Sequence, residues 1–283
     1  MRVKASSRVE GIFAHAVAMD NRGMKNMIHC IGSFVYIVNF DYSMILRFSL
    51  RQSEISFESP ISFNANEYDS PDFAFTTDEH GGKIVFHTPS KEYKRRKICR
   101  TGVSGPDAKD ISKVYRRLKK AGEASKYLFH LSDECIPLLE DALSHTEISV
   151  EDSKLILRQR NVYTGTMVEV EPSGGAGFFA VDNLPESLPP MALKTRDFMS
   201  LFSVHKSLTF IPAEDFVMVR DPKKEEFEGV LALCKYDMII DLHQNKDDDE
   251  GGENNGREEP EARTSEQKAS GPNQKTGIRR RRK

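Results

Sequence analysis

One arrangement of apolar and polar residues occurs twice between residues 126 and 236, and this duplication limits the folds open to the chain more than any other feature. Each copy opens with a short apolar run, at residues 127–129 and 191–193. Each continues with a helical stripe and then with three short segments suited to strands. Those segments are residues 147–150, 155–157 and 166–170 in the first copy, and 208–211, 216–219 and 230–233 in the second. The repetition predicts an α+β fold of duplicated strand–helix–strand–strand–strand (βαβββ) units.

The two predicted helices are located by their start signals and by the spacing of their apolar residues. In the first copy, Pro137 is tolerable only near the first turn, so the helix should begin at Asp133 or Glu134. In the second copy, Thr195 is the expected N-cap. The stripes are Cys135, Ile136, Leu139, Ala142 and Leu143 in the first helix, and Phe198, Met199, Leu201, Phe202 and His205 in the second.

Matched landmarks support a true duplication. The acidic turn at residues 151–152 corresponds to the one at 214–215, and Gly165, entering the last strand, corresponds to Gly229. The interval between copies is about 60 residues. The alternative is coincidence, because helices and hairpins are common elements.

Residues 1–50 have a looser version of the same unit. A strand is predicted at residues 2–5, and Ser7 with Glu10 has the spacing of a capping box. The helical stripe that follows is Val9, Ile12, Phe13, Ala16 and Val17, and residues 24–31 continue the amphipathic character. Strands are then predicted at residues 34–40 and 44–50.

The fourth unit is predicted to be incomplete. Residues 73–76, 83–87 and 92–100 have strand character, and Gly81-Gly82 suits a hairpin turn. Pro60 and Pro71 make a long helix before these strands improbable. The sequence therefore predicts three strands without a preceding helix.

Composition narrows the class of protein. The chain has 283 residues, 38% of them hydrophobic, and a net charge of −2, which by itself indicates no polyanionic partner. The four cysteines are scattered, which argues against a zinc site and a disulfide framework and favours a reducing compartment. The N-terminus lacks the apolar core of a signal peptide, and no apolar run approaches the roughly 20 residues that span a bilayer. A soluble, intracellular protein without a membrane partner is expected.

Positive charge is concentrated between residues 91 and 120, where twelve Lys or Arg residues face three acidic ones, a net charge of +9. Part of this stretch is a predicted helix with Asp107 as N-cap and Gly122 as C-cap. Its apolar side is Ala108, Ile111, Val114, Tyr115 and Leu118, and its other side is Lys109, Lys113, Arg116, Arg117, Lys119 and Lys120. Such clustering is the electrostatic signature of a phosphate-backbone partner, and the alternative is a solvated helix face.

From residue 243 the sequence changes character. Residues 247–259 are acidic and have too little apolar surface to order themselves, so residues 243–283 are predicted to be a disordered charged tail. The chain ends in four arginines and a lysine at residues 279–283. This cluster suits a nuclear-localisation signal or a nucleic-acid-binding arm, and non-specific RNA contact is a third reading.

No catalytic constellation is evident, and the chain is not predicted to be an enzyme or to hold a cofactor. The glycine-rich stretch at residues 174–177 lacks the Lys-Ser/Thr that follows a phosphate-binding loop. His130 and His205 lie beside apolar stripes, where a hydrogen-bonded histidine at the margin of the core is more common than a metal ligand. The acidic run at residues 247–249 lies in the tail, where nothing would hold a metal.

The repeated pattern resembles the sliding-clamp family of DNA polymerase processivity factors, in particular clamps of the proliferating-cell nuclear antigen type and their phage and viral relatives. The resemblance is architectural, good over residues 126–236 and partial over 2–100, and no diagnostic motif is matched. It implies two clamp-like domains, at residues 1–105 and 126–242, joined by a basic connector at 106–125. In this family three two-domain protomers close a ring around duplex DNA, with helices lining the hole and sheet edges pairing across subunits. The length suits this arrangement better than the three-domain dimer.

The resemblance also implies roles and partners. The expected DNA-binding residues are the six basic residues of the connector helix together with Arg196 and Lys206 of the second-copy helix. Met238, Ile239 and Ile240, after the last strand, correspond to the segment that receives partner peptides. The implied partners are double-stranded DNA, a replicative polymerase and, in some systems, a clamp loader. A viral or phage origin is expected, with localisation in the host cytoplasm or nucleoid for a phage and in the nucleus for a eukaryotic virus.

Two departures from the family pattern leave alternatives open. The predicted 133–145 helix carries Glu134, Glu140 and Asp141, the wrong sign for a hole that faces phosphates, and the fourth unit lacks its helix. The competing hypotheses are a clamp-folded, non-enzymatic regulator that binds nucleic acid as a monomer or dimer, and a plain interaction protein with a solvated basic helix. Oligomeric state and DNA affinity discriminate among the three.

Overall fold

Four β-rich repeat units make up the part of the chain that the structure, a computed structural model, describes. The described residues run from 2 to 234 with gaps at 5, 21–24, 52–55, 71, 79–80, 90–93, 102–105, 141, 153, 162–163, 173–176 and 181–190. They contain seventeen strands and three α-helices. The α+β class is confirmed. The predicted tail lies outside the described residues.

The N-terminal half contains eight strands and one helix, and a second helix follows it. Its elements are β1 (Arg2–Lys4), α1 (Ser7–Met19), β2 (Asn26–Gly32), β3 (Phe34–Asn39), β4 (Met44–Ser49), β5 (Phe57–Asn64), β6 (Asp72–Asp78), β7 (Gly81–Pro89), β8 (Lys94–Thr101) and then α2 (Ala108–Glu123). A short 3₁₀ turn, Ala65–Glu67, stands where a helix would complete the second unit. The expected absence of a long helix there is confirmed.

The C-terminal half repeats this plan. Its elements are β9 (Tyr127–Ser132), a 3₁₀ turn (Asp133–Leu138), β10 (His145–Glu151), β11 (Lys154–Arg160), β12 (Met167–Val170), β13 (Gly177–Ala180), β14 (Met191–Lys194), α3 (Thr195–Phe202), β15 (Ser207–Pro212), β16 (Phe216–Asp221) and β17 (Lys224–Ala232). The acidic turns at residues 151–152 and 214–215 join β10 to β11 and β15 to β16, as the sequence predicts.

The first strand of each unit crosses into the sheet of its neighbour. β1 pairs with β6 while β5 pairs with β2, and in the second half β9 pairs with β15 while β14 pairs with β10. This exchange ties the two units of each half together. It produces two four-stranded sheets, β1-β6-β7-β8 and β12-β11-β10-β14, beside one larger sheet.

The larger sheet spans both halves in the order β13-β9-β15-β16-β17-β4-β3-β2-β5. Its halves meet where β17 pairs antiparallel with β4, from Phe227 opposite Phe48 to Leu231 opposite Met44. Gly229 lies at this junction, where an added Cβ would come within 2.8 Å of side chains of Leu46 and Val219. Gly229 is therefore required by close packing inside a strand, whereas Gly165 has φ +72° in the turn before β12. The two glycines do not occupy equivalent positions.

The main core lies on the face of the large sheet that carries α1 and α3. Val9, Phe13 and Ala16 of α1 are buried there, and Phe198, Leu201 and Phe202 are buried on α3. Phe210 of β15 stacks on Phe129 at 5.1 Å and contacts Phe198 at 5.7 Å, which joins α3 to the sheet. Both predicted apolar stripes are confirmed at these residues.

Several local predictions about the helices and their caps are wrong. The 133–145 helix is only the 3₁₀ turn Asp133–Leu138, because Pro137 stands inside it and removes a backbone donor. Residues 24–31 contain β2, whose apolar residues are buried on both sides of the sheet and therefore show no strict alternation. Ser6, rather than Ser7, accepts the capping hydrogen bond of α1, from the Val9 amide.

Thr195 is also not an N-cap. It is the first residue of α3, with Lys194 at the cap position and no side-chain capping hydrogen bond. Its buried hydroxyl lies 2.9 Å from the Thr146 hydroxyl and accepts from the Gln159 amide at 3.4 Å. The Thr195 hydroxyl therefore bonds to side chains distant in sequence and does not cap the helix, as local propensity would predict.

Candidate functional site

The connector helix α2 forms as predicted at its N-terminus. The Asp107 carboxylate accepts hydrogen bonds from the amides of Lys109 and Asp110, and the Asp110 carboxylate accepts from the Asp107 amide at 3.4 Å. This is a complete capping box. Gly122 is not the C-cap, which is Ala124, since the helix continues through it.

The apolar side of α2 packs on the face of the large sheet opposite to α1 and α3. Ile111, Val114 and Tyr115 join a second cluster with Tyr36 of β3 and Met218 of β16. Alternate residues of these strands, Ile37 and Val219, belong to the main core. Since successive side chains of a strand point to opposite faces, α2 and the pair α1 and α3 lie on opposite sides of the sheet.

The outward side of α2 is a basic face, defined here as Lys109, Lys113, Arg116, Arg117 and Lys120, and all five are exposed. Arg116 donates to the Ser112 hydroxyl of its own helix at 3.3 Å. The helix thus presents five cations to solvent over about three turns. Such a surface suits sequence-independent contact with phosphates.

Lys119, the sixth predicted residue, is engaged elsewhere. Its ammonium donates to both Glu228 oxygens at 2.9 Å, and Arg47 donates to Glu228 at 2.5 Å. Tyr115 donates to the same carboxylate at 3.2 Å. Burial alone would raise the pKa of Glu228, but Lys119 and Arg47 outweigh it and hold that pKa below its ordinary value. Lys119 therefore anchors α2 to the sheet.

Arg196 and Lys206 lie on the other side of the sheet. Arg196 is exposed in the first turn of α3, and Lys206 is exposed immediately before β15. The structure accordingly divides the eight predicted DNA-binding residues between two faces of one sheet. No single surface of one protomer contains them all.

Within the described part of the chain, β8 and β12 are open edge strands of the two small sheets, and their exposed charges are opposite. β8 has exposed Arg95 and Arg96, whereas β12 and the residue after it have exposed Glu169 and Glu171. Each edge also exposes a large apolar side chain, Ile98 at 64% and Met167 at 52%. Arg95 and Lys97 turn inward to Asp69 and Glu67, at 3.5 and 3.1 Å. Because side chains alternate along a strand, Arg96 and Ile98 share the face away from the core.

The same alternation holds on β12. Val170 is buried in the main core and Val168 packs against it, which places Met167 and Glu169 on the face away from the core. Glu169 accepts from Arg158 of β11 at 2.7 Å. The sequence identifies the charges and the strands, but not that these two strands end their sheets, so these edge residues are absent from the predicted site.

Met238, Ile239 and Ile240 lie outside the described residues. His205 is buried, with Nδ1 2.7 Å from an Asp221 oxygen, and burial outweighs this partner to lower the pKa of His205. Its position inside the core, hydrogen-bonded, agrees with the sequence reading. Within the described ranges no group of three or more metal-ligating side chains occurs, and no helix is long and apolar enough to cross a membrane.

Comparisons with solved structures identify the architecture. A β clamp from Helicobacter pylori, in complex with 3,4-difluorobenzamide, superposes with a TM-score of 0.55 and 12% identity, over 82% of this chain and 65% of that one. A putative DNA polymerase III β subunit from Eubacterium rectale gives 0.51 and 9%, over 79% and 64%. The DNA polymerase III subunit β from Pseudomonas aeruginosa gives 0.50 and 11%, over 75% and 58%.

The fold is that of a sliding clamp. No protein-family model matches the chain, and no curated protein matches it. The chain spans less than two thirds of the length of each of the three clamps. At these identities the likeness establishes the clamp fold alone, and the strand exchange within each half is the feature that the sequence pattern left unspecified.

Proposed function

We propose that the chain is a non-enzymatic sliding clamp that closes into a ring around duplex DNA and tethers a polymerase to its template. The observation that carries this proposal is the pair of complementary open edges, β8 and β12. Exposed edge strands are an aggregation hazard unless they are covered or paired. Head-to-tail pairing of β8 with β12 of the next copy covers both edges in every protomer, and such a heterologous interface closes into a ring.

The edge residues define one antiparallel register for this interface. When Arg96 stands opposite Glu169 of the next copy, Ile98 stands opposite Met167, because both pairs are two residues apart in opposite directions. Opposite charges and apolar pairs facing each other across strands are each worth about 0.2–1 kcal/mol relative to alanine. The register therefore places opposite charges across from each other and apolar side chains across from each other.

A ring of three is the assembly that this proposal implies. The chain covers 58–65% of the length of the bacterial β clamps, and its four repeat units form two halves that share the nine-stranded sheet. In the family resemblance described above, two-domain protomers close as trimers, which keeps the number of domains in the ring at six. A replicative polymerase, and a loader where ring opening is slow, are the partners expected of this function.

In such a ring the face that carries α1 and α3 lines the hole. Arg196 and Lys206 on this face then contact the phosphates of the encircled duplex. The basic face of α2 lies on the outside of the ring. Five exposed cations on one helix favour a second candidate function, in which the protein binds DNA through α2 without encircling it.

The experiment that separates the two functions uses DNA topology and a matched pair of variants. Dilute protomers are mixed with closed circular DNA and concentrated, so that rings assemble around it by mass action. Retention is measured by gel filtration at high salt, before and after the circle is cut once. One variant carries Arg196→Glu and Lys206→Glu, and the other carries Lys113→Glu and Lys120→Glu.

For a clamp, retention survives high salt on the closed circle and is lost when the circle is cut, since the link is topological. The variant at Arg196 and Lys206 then loses more low-salt affinity than the variant on α2. Binding through α2 gives the reverse ranking, equal affinity for cut and closed DNA, and a steep loss with salt. That second result overturns the clamp proposal and establishes the alternative.

A further inference from the structure

A cavity of about 570 Å³ opens within one protomer, where the turn between β3 and β4 meets the β14–α3 junction. Its walls include Phe40 and Asp41 of that turn, Leu143 before β10, and Lys194 and Asp197. Both halves of the chain therefore contribute to it. Its volume falls within the range of small-molecule sites, about 300–1,000 Å³, so it is large enough for the side chains of a short peptide segment.

A buried hydrogen-bond network fixes the floor of the cavity and the turn at its mouth. Asp197 of α3 accepts from the Ser43 hydroxyl at 2.5 Å and from the Asn39 side-chain amide at 3.2 Å. Asn39 also donates to Ser43 at 2.8 Å and accepts from the Met44 backbone amide at 2.9 Å. The turn that carries Phe40 is therefore held in place by α3, and the cavity is preorganised.

Phe40 presents apolar surface at the mouth of the cavity. Its side chain is 68% exposed, the highest value among the exposed large apolar side chains of the described residues. Ala142, another lining residue, is also exposed. Removing apolar surface from water is favourable in proportion to its area, so an occupant with apolar side chains is stabilised most at this position.

The part of the chain that the structure describes ends at Cys234, beside this cavity. The Cys234 amide donates to the Ala192 carbonyl of β14 at 2.9 Å. Burial raises the pKa of the Cys234 thiol to about 11, and the charges of Lys194 and Asp197 also act on it, so the thiol lies beside two residues that line the cavity. Because an extended chain advances about 3.3 Å per residue, residues 236–242 can reach roughly 7–26 Å from Cys234.

The residues that follow Cys234 alternate in polarity as those of an amphipathic strand do. Two carboxylates, Asp237 and Asp241, stand between apolar residues at every second position, which are Tyr236, Met238, Ile240 and Leu242. The apolar face of such a segment complements the exposed ring of Phe40. Its carboxylates complement the ammonium of Lys25, an exposed residue that also lines the cavity.

We propose that residues 236–242 dock in the cavity of their own chain, with Met238 and Ile240 against the Phe40 ring. The docked segment links the β3–β4 turn of the N-terminal half to α3 of the C-terminal half. The cavity is then closed to other ligands unless the segment is displaced. This docking is complete within one protomer and does not depend on closure of a ring.

Site-specific photo-crosslinking in the full-length protein tests the proposal. The photoreactive amino acid p-benzoylphenylalanine replaces Phe40, and on irradiation its benzophenone inserts into a C–H bond of the side chain that lies against it. Trypsin cuts after Lys235 and Lys246, so the segment is recovered in one peptide, 236–246. The expected result is a cross-link to that peptide, in a product with the electrophoretic mass of a single chain, 32.1 kDa.

A matched pair of variants in the same background tests which face of the segment docks. Met238→Asp combined with Ile240→Asp should reduce the yield of the cross-link at least about tenfold, because both apolar contacts with the ring are lost. Ile239→Asp is the control, since position 239 lies on the opposite face of an extended segment, and it should leave the yield unchanged.

Three results would overturn the proposal. A cross-link found only in products of twice the mass of one chain would assign the cavity to a second copy. Cross-links absent from peptide 236–246 would leave the cavity to another occupant, such as a peptide of a partner protein. Equal yields from the double variant and the Ile239→Asp control would show that the apolar face is not the docked one. None of these results alters the circular-DNA experiment that tests the clamp.

Discussion

Replacing Ile98 with aspartate perturbs the proposed ring interface while leaving the isolated protomer almost untouched. Ile98 is 64% exposed on the open edge β8, so its side chain contributes little to the core of its own subunit. In the proposed register it meets Met167 of the next copy, which is 52% exposed. The substitution therefore acts on assembly.

The expected magnitude follows from the area that the interface would bury. Full burial of such a side chain is worth about 1.5–3 kcal/mol, so covering the exposed parts of Ile98 and Met167 contributes about 2–3 kcal/mol. An aspartate at this position loses that contribution and adds about 1–3 kcal/mol for an unpaired polar group in a partly buried site. A total of about 3–6 kcal/mol raises the dissociation constant of each interface by roughly 150- to 25,000-fold.

Sedimentation velocity over a dilution series measures this change, and a thermal melt measures the stability of the protomer. Leu138→Asp is the matched control, because Leu138 is 61% exposed on a 3₁₀ turn away from both edges. Ile98→Asp should dissociate the assembly at concentrations where wild type and the control remain associated, with an unchanged melt for dissociated protomers. If Ile98→Asp and Leu138→Asp assemble alike, the β8–β12 interface is wrong.

Two further predictions rest on charged pairs. Arg96→Glu and Glu169→Arg should each weaken assembly, because each places like charges opposite one another across the interface. The chain that carries both substitutions should assemble as wild type does, and sedimentation velocity of the three variants measures this. A double variant that assembles as weakly as the single ones would exclude the proposed register. Glu228→Ala should lower the free energy of unfolding by about 3 kcal/mol near neutral pH, because Lys119 and Arg47 lose the carboxylate that they share, whose side chain is only 9% exposed. Glu225→Ala, at an exposed position, is the control. Since the folded pKa of Glu228 lies below its ordinary value of 4.5, its stabilisation is present above that value and is lost as the pH falls through the folded pKa. Denaturant melts should therefore show the cost shrinking in acid, and a cost independent of pH would show that Glu228 does not act through its charge.

The sequence predicts those elements whose own residues determine them. The capping box of Asp107 and Asp110 and the apolar stripe of Ile111, Val114 and Tyr115 define α2 without tertiary help. Strands such as β3 and β4 have enough β-branched and aromatic residues to be recognised along the chain. The α+β class and the repeated units follow from these local signals.

Two of the wrong predictions concern residues whose contacts are distant in sequence. The hydroxyl of Thr195 is used by Thr146 and Gln159, 49 and 36 residues away, so local capping rules do not apply to it. In β2, burial on both faces removes the alternation that marks a strand, and Met27 and Ile28 imitate a helical stripe. β5 escapes detection because Pro60 is unusual in strands, although an edge strand tolerates it.

The candidate site shows the same limit. The sequence locates the positive charge of residues 91–120, but it does not show that β8 and α2 place their charged side chains on different surfaces. In the structure β8 is an open edge whose charge complements β12, while α2 presents its charge on the sheet face away from α1 and α3. Which face of a sheet a helix covers depends on long-range packing, and no local pattern records it.

Light scattering of the full-length protein during gel filtration measures the mass of the assembly and tests the central claim most directly. The chain has a mass of 32.1 kDa, so the proposed ring of three predicts about 96 kDa at micromolar concentration. On dilution the ring should dissociate to protomers of 32.1 kDa, and no mass above that of the ring should appear at any concentration. A mass of 32.1 kDa that persists as the protein is concentrated would contradict the ring and favour binding of DNA through α2 alone.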